Sequence, residues 1–109
     1  MNKQLAQKLL ERVKGTIKYN LNIIDEKGMI IASSDKSREG SFHEAAYNMI
    51  QQGVDLVEIN EDQAFHGTKK GVNMTITSQG KLIGVVGITG DPDEVRPLAT
   101  LMKISVEVI

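Results

Sequence analysis

"VNMTITSQGKLIGVVGIT", residues 72–89, decides the fold. Two runs rich in β-branched residues flank Gln79-Gly80, and a two-residue connection ending in glycine between such runs reads as a β-hairpin. The second run carries Gly84 and Gly87, with Gly90 just past its end. Glycine weakens a strand interior through chain entropy and a missing side chain. A strand that reads as buried therefore needs a reason to give up side chains. Either the glycines mark a bulge or a close crossing, or something lies against the bare backbone.

Working outward, "DLVEI" (55–59) is a further strand, and "NEDQAFHGTKKG" is the loop that joins it to the hairpin. Earlier, "YNLNIID" alternates Tyr19, Leu21 and Ile23 with Asn20 and Asn22; "DEKG" turns the chain, and "MIIAS" (29–33) completes a first hairpin. Between the hairpins "SDKSREG" is loop. Ser41 then stands three residues before Glu44 at the head of an apolar periodic run, the capping-box pattern of a helix start. Phe42, Ala45, Ala46, Met49 and Ile50 form its buried stripe, and Gly53 closes it.

Leu5, Leu9, Val13 and Ile17 recur at four-residue steps and predict a first helix over about 3–18. A last helix follows "GDPDEV", with Val95, Leu98, Met102 and Val106 on its apolar side, running to Ile109. Pro97 is comfortable only in a first turn, so its regular part is expected to begin near Arg96. Two hairpins cannot lie in an all-parallel sheet. The expected class is α+β, a central five-stranded, mainly antiparallel sheet with flanking helices.

At 109 residues the chain is expected to be a single domain, residues 1–109. Cysteine is absent, so there is no disulfide framework, thiol nucleophile or thiolate cluster, which fits a reducing, cytoplasmic setting. Net charge is −1 with both signs interspersed, giving no electrostatic case for nucleic acid. No apolar run approaches the roughly 20 residues that span a bilayer. "LMKISVEVI" stops while still apolar, which suggests a fragment of a longer protein or a helix that docks on a partner.

Most catalytic chemistry fails on spacing. The glycines at 84, 87 and 90 match neither the dinucleotide fingerprint nor the P-loop. "HEAAY" has Tyr47 where a zinc-protease helix needs its second histidine, so no metal or other cofactor is expected. Ser33, Ser34 and Ser41 lack a nucleophile elbow. What survives is an anion site. Arg38 precedes Gly40-Ser41 at the expected helix start, and His43 lies in the first turn. Free N–H groups and the helix dipole favour a carboxylate there, and a guanidinium can pair with it bidentately. Ordinary capping, with Arg38 in solvent, fits the same residues.

"NIIDEKGMIIASSD…REG…HEAA" and "GVNMTI…GKLIGVVGITGDPDEV" resemble the sugar-diacid recognition domain at the N-terminus of carbohydrate diacid regulators, bacterial transcription factors with a C-terminal helix-turn-helix. The resemblance implies a PAS-like or Cache-like sensor and not an enzyme. Its ligand would be a sugar diacid such as glucarate or galactarate, or a hydroxy acid such as glycerate. The family's motifs fall on Arg38 and Gly40, His43 and Glu44, Gly71 and Asn73, and Gly87, Ile88 and Thr89. The pattern departs at Lys70 and Thr75, where proline is expected, and at Glu39, where an apolar residue is expected.

On this reading Arg38 and the N–H groups near Ser41–His43 hold one carboxylate, Asn73 and Thr89 bind hydroxyls, and Gly87 and Gly90 open the space. His43, with an ordinary pKa near 6.5, would sharpen binding at mildly acidic pH. The terminal helices, Leu5–Ile17 and Val95–Ile109, would carry the output and pack in a homodimer. DNA would be bound by another part of the regulator. The alternative is a PAS-like dimerisation module without a small-molecule ligand.

Overall fold

Gln79 and Gly80 both adopt positive φ, 51° and 78°. This is the turn geometry whose twist suits a two-residue hairpin. It joins β4 (Gly71–Ser78) to β5 (Lys81–Thr89), the longest strands in a computed structural model that describes residues 1–107. The other elements are α1 (Lys3–Val13), β1 (Leu21–Ile24), β2 (Ile30–Ser33), a 3-10 turn (Lys36–Arg38), α2 (Glu44–Gln52), β3 (Leu56–Ile59) and α3 (Pro92–Glu107). The strands form one sheet in the order β2-β1-β5-β4-β3, every neighbouring pair antiparallel. The α+β expectation holds. Residues 108 and 109, to which the last helix was extended, lie outside the described residues.

Period-two alternation sends side chains to two unlike faces. On one face Leu21, Ile23, Ala32, Val72, Ile76, Val86 and Ile88 pack against Ala6, Leu9 and Leu10 of α1 and Val95, Ala99, Met102 and Val106 of α3. Each large side chain buried there contributes roughly 1.5–3 kcal/mol of transfer free energy, so this layer holds most of the hydrophobic stabilisation. The other face carries a smaller apolar cluster: Ile24, Ile30 and Val85 with Ala46 and Met49 of α2. The same face also carries the buried polar side chains Asn22, Asn73 and Thr75.

Three helix boundaries differ from the sequence reading. Helix α1 ends at Val13, not near 18, because Gly15 and Thr16 favour a turn in which the Thr16 and Ile17 N–H groups both bond Val13 O. Helix α3 begins at Pro92, not near Arg96. The Asp91 carboxylate accepts from Asp93 N at 3.1 Å, and proline in the first position needs no N–H partner. Pro97 lies inside the helix on its exposed side, so the carbonyl it orphans can be hydrated.

At α2 the cap is His43, not Ser41. His43 Nδ1 accepts from Ala46 N at 3.1 Å, while Ser41 Oγ donates to Arg38 O. Ser41 is the turn residue of the segment before the helix, so its hydroxyl cannot reach the helix N–H groups. Gly53 closes α2 in the left-handed conformation as expected.

Two of the three glycines pack against a backbone carbonyl or apolar side chains. A Cβ at Gly84 would sit 2.5 Å from Ile24 O, next to a register shift between Ile76 and Thr77. This is the close-crossing alternative. Gly90 has φ 150°, and a Cβ there would meet Val95 Cγ1 at 2.8 Å and Tyr19 Cδ1 at 3.0 Å. Its expected role in opening a ligand space gives way to contact with the protein's own side chains.

Candidate functional site

The buried polar side chains among the described residues are Asn22, Ser33, His43, Thr68, Asn73 and Thr75. The alternation that points Leu21, Ile23, Val72 and Met74 at α1 and α3 turns Asn22, Asn73 and Thr75 toward α2. The register aligns Asn22, Gly87 and Asn73 in a row across β1, β5 and β4. A Cβ at Gly87 would lie 2.6 Å from Asn73 Oδ1 and 3.9 Å from Asn22 Cβ. The bare backbone of Gly87 thus accommodates the Asn73 amide.

Asn73 is 3 % exposed, and no hydrogen bond of the described residues engages its amide. No side-chain nitrogen or oxygen among these residues is both sealed from solvent and unpartnered, so the amide keeps contact with solvent.

Arg38 leaves the 3-10 turn, whose start is held by Asp35 accepting from Ser37 N at 3.1 Å. Its Nη2 donates to Gly67 O at 2.6 Å. Its Nη1 faces the Asn22 amide. Because a guanidinium only donates, the amide satisfies both of its ends when Oδ1 accepts from Arg38 Nη1 at 3.0 Å. The Asn22 nitrogen then donates to Ser33 Oγ at 2.6 Å and Leu21 O at 3.3 Å. Among the described residues Arg38 forms no ion pair. Burial lowers its pKa, the more distant charges of Asp35 and Asp62 only partly oppose that, and the group stays charged.

The start of α2 does not offer the open N–H groups expected of it. Glu44 N donates to His66 O at 3.0 Å, Ala45 N to Thr68 Oγ1 at 3.3 Å, and Ala46 N to His43 Nδ1 at 3.1 Å. His43 N donates to Gly28 O and Ser41 N to Arg38 O. The reason is the loop at 60–70, which lies against this helix end; Glu44 Oε1 in turn accepts from His66 N at 3.1 Å. The N–H groups of Ser41, His43, Glu44, Ala45 and Ala46 are therefore satisfied internally.

His43 is 2 % exposed. Burial, and then the charge of Arg38, push its pKa down to about 4. With Nδ1 accepting, the neutral ring carries its proton on Nε2. The expected sharpening of binding in mild acid through a histidine cation is overturned: the ring is neutral across that range.

Of the remaining sequence-chosen residues, Ile88 points the other way, 2 % exposed in the core against α1 and α3. Gly71 presses against Ile88 O, where a Cβ would collide. Thr89 lies half-buried at the end of β5 with its N–H on Asn20 O at 3.0 Å. Gly40 and Ser41 are exposed in the turn after Arg38. The fold thus brings Arg38, His43, Asn73 and Gly87 to one face and adds Asn22, Ser33, Gly67 and Thr68. Asn22 was legible as a polar residue in a strand that β-pairing makes central; the loop residues gave no signal.

Two cavities lie elsewhere. One of about 120 Å³ runs beside α2 between Met49, Val57 and Phe65, and one of about 240 Å³ lies between α1 and α3. Among the described residues no three His, Cys, Asp or Glu side chains are placed to hold a metal ion, and no helix is long and apolar enough to cross a membrane.

The family model described as "Putative sugar diacid recognition" matches residues 1–109. The carbohydrate diacid regulator of Escherichia coli (strain K12) is 32% identical over 111 residues, covering 100% of this chain and 29% of that protein. An uncharacterized protein of Haemophilus influenzae is 34% identical over 112 residues, covering 100% of the chain and 30% of the relative. YsfB, an uncharacterized protein of Bacillus subtilis (strain 168), is 30% identical over 100 residues, covering 91% and 27%. The chain therefore spans less than a third of the length of these relatives. No solved structure matches.

Proposed function

This chain belongs to the sugar-diacid recognition family, and from that membership we propose that it is the effector-binding domain of a transcriptional regulator. Its ligand is a sugar diacid, or a related hydroxy acid such as glycerate, bound on the α2 face of the sheet. The observation that carries the proposal is Arg38. Among the described residues this half-buried guanidinium pairs with no carboxylate, which makes it an electrostatic receptor for one.

One ligand carboxylate joins the guanidinium N–H groups. The Asn73 amide, rotated off Gly87, takes a hydroxyl, and His43 Nε2–H donates to a second polar group. Thr89 extends the hydroxyl contacts at the strand end. A neutral histidine, with no nucleophile elbow near it, serves binding rather than turnover. In the whole regulator the chain works in the cytosol, DNA is contacted elsewhere, and α1 and α3 form a homodimer. Leu101 and Ile104, 59% and 53% exposed, supply apolar surface for that dimer. PAS-like or Cache-like architecture rests on the resemblance and on the 2-1-5-4-3 strand order.

A second reading, a dimerisation module without a ligand, draws on Asn73 filling the space over Gly87 and on the occupied N–H groups of α2. Titration calorimetry with glucarate, galactarate and glycerate separates the two. Saturable heat is expected with at least one acid, and Arg38→Ala should weaken it more than tenfold, about 1.5–3 kcal/mol for a desolvated bidentate pair. No heat from any of the three at millimolar concentration would leave the module.

A further inference from the structure

The Arg38 guanidinium rests on Asn22. This residue lies in the central part of the sheet, on β1 between β2 and β5, and is 2 % exposed. Its amide is fixed from both ends: the nitrogen on Ser33 Oγ at 2.6 Å and Leu21 O at 3.3 Å, the oxygen on Arg38 Nη1 at 3.0 Å. Gly67 O holds the other terminal nitrogen at 2.6 Å. Both acceptors are neutral. They orient the guanidinium plane and solvate part of it without cancelling its charge.

A buried or half-buried arginine is ordinarily matched with Asp or Glu, because an unpaired charge away from water is costly. Aspartate has nearly the shape of asparagine and would place a carboxylate oxygen on the same Nη1. The chain instead has Asn22 at this position. Next to it in the same row, over Gly87, lies the Asn73 amide, which no hydrogen bond of the described residues engages.

We propose that Asn22, held by Ser33, is the positioning residue of the anion site: a neutral stand-in where a carboxylate would close an internal ion pair, leaving the charge of Arg38 for a ligand's carboxylate. This rests on the functional reading above and adds to it the residue that keeps the receptor open. An aspartate at position 22 acts as a built-in occupant.

The test is Asn22→Asp and Asn22→Ala in wild-type and Arg38→Gln backgrounds, read by thermal unfolding and by calorimetry with glucarate, galactarate and glycerate. Asn22→Asp is expected to raise Tm at neutral pH by about 4 °C or more, a gain that disappears with Arg38→Gln. It should also weaken acid binding at least about tenfold, the scale of a lost charge-assisted contact. Asn22→Ala should lower both Tm and affinity. A purely structural Asn22 predicts loss of Tm in both variants, independent of residue 38, and that result overturns the proposal, as does undiminished acid binding by Asn22→Asp. If the wild type binds none of the acids, the functional reading fails, and the Tm cycle alone then decides whether the guanidinium is uncompensated.

Discussion

His43 shows how much one residue's environment can reverse its chemistry. From sequence it was a candidate switch near pH 6.5; burial and the charge of Arg38 hold the folded ring near pKa 4. Between those values the unfolded chain binds a proton that the folded chain refuses. Stability from this group is therefore complete above about pH 6.5 and is lost as pH falls toward 4, up to about 3 kcal/mol in total. Carboxylates such as Glu39, held low chiefly by its bond from Gln7, also fail in acid, so a difference measurement is needed. His43→Asn keeps a cap acceptor for Ala46 N. Urea unfolding from pH 7 to 4 should show a shallower decline for the variant; parallel curves would mean that the ring is not the source. The histidine's position at the start of α2 near Arg38 was readable, but its protonation state was not, because that depends on what the fold lays over it.

Among the elements, β5 joins both answers to the glycine question in one strand. Gly84 faces a backbone oxygen that cannot move aside, whereas Gly87 faces the end of a side chain that can. Gly84→Ala is expected to cost about 2–3 kcal/mol in denaturant unfolding. Gly87→Ala should cost less while displacing Asn73 and weakening acid binding, so the two substitutions should separate stability from affinity. Equal stability losses with unchanged binding would detach Gly87 from the site. The second hairpin was legible because strand period and turn chemistry agree there. The cap of α2 was not: Ser41 and Glu44 have the capping-box spacing, but Ser41 belongs to the turn that carries Arg38 and Glu44 bonds His66. Pro97 misled in the opposite sense, since a helix held by Val95, Ala99 and Met102 in the core tolerates one missing bond on its wet side.

At the scale of the molecule, the apolar face was readable from period-two and four-residue patterns, but the β1–β5 pairing that joins the two hairpins was not. The polar face was only partly readable. Its members come from β1, β2, a turn, the cap of α2, a loop, β4 and β5, and only the folded register places Asn22 beside Gly87. The two faces are back to back across a single layer of strands. Val86 and Ile88 flank Gly87 and enter the core beneath α1 and α3. Methyl resonances of Val86, Ile88 and Met102 should therefore shift when glucarate, galactarate or glycerate binds. Shifts restricted to α2 and the 60–70 loop would break the connection.

That arrangement makes β5 a partition wall only one residue thick. The Asn73 amide lies over Gly87 on one side of the wall, and the branched side chains of Val86 and Ile88 lie in the core on the other. The shortest route from one face to the other thus runs at right angles to the strands rather than along them.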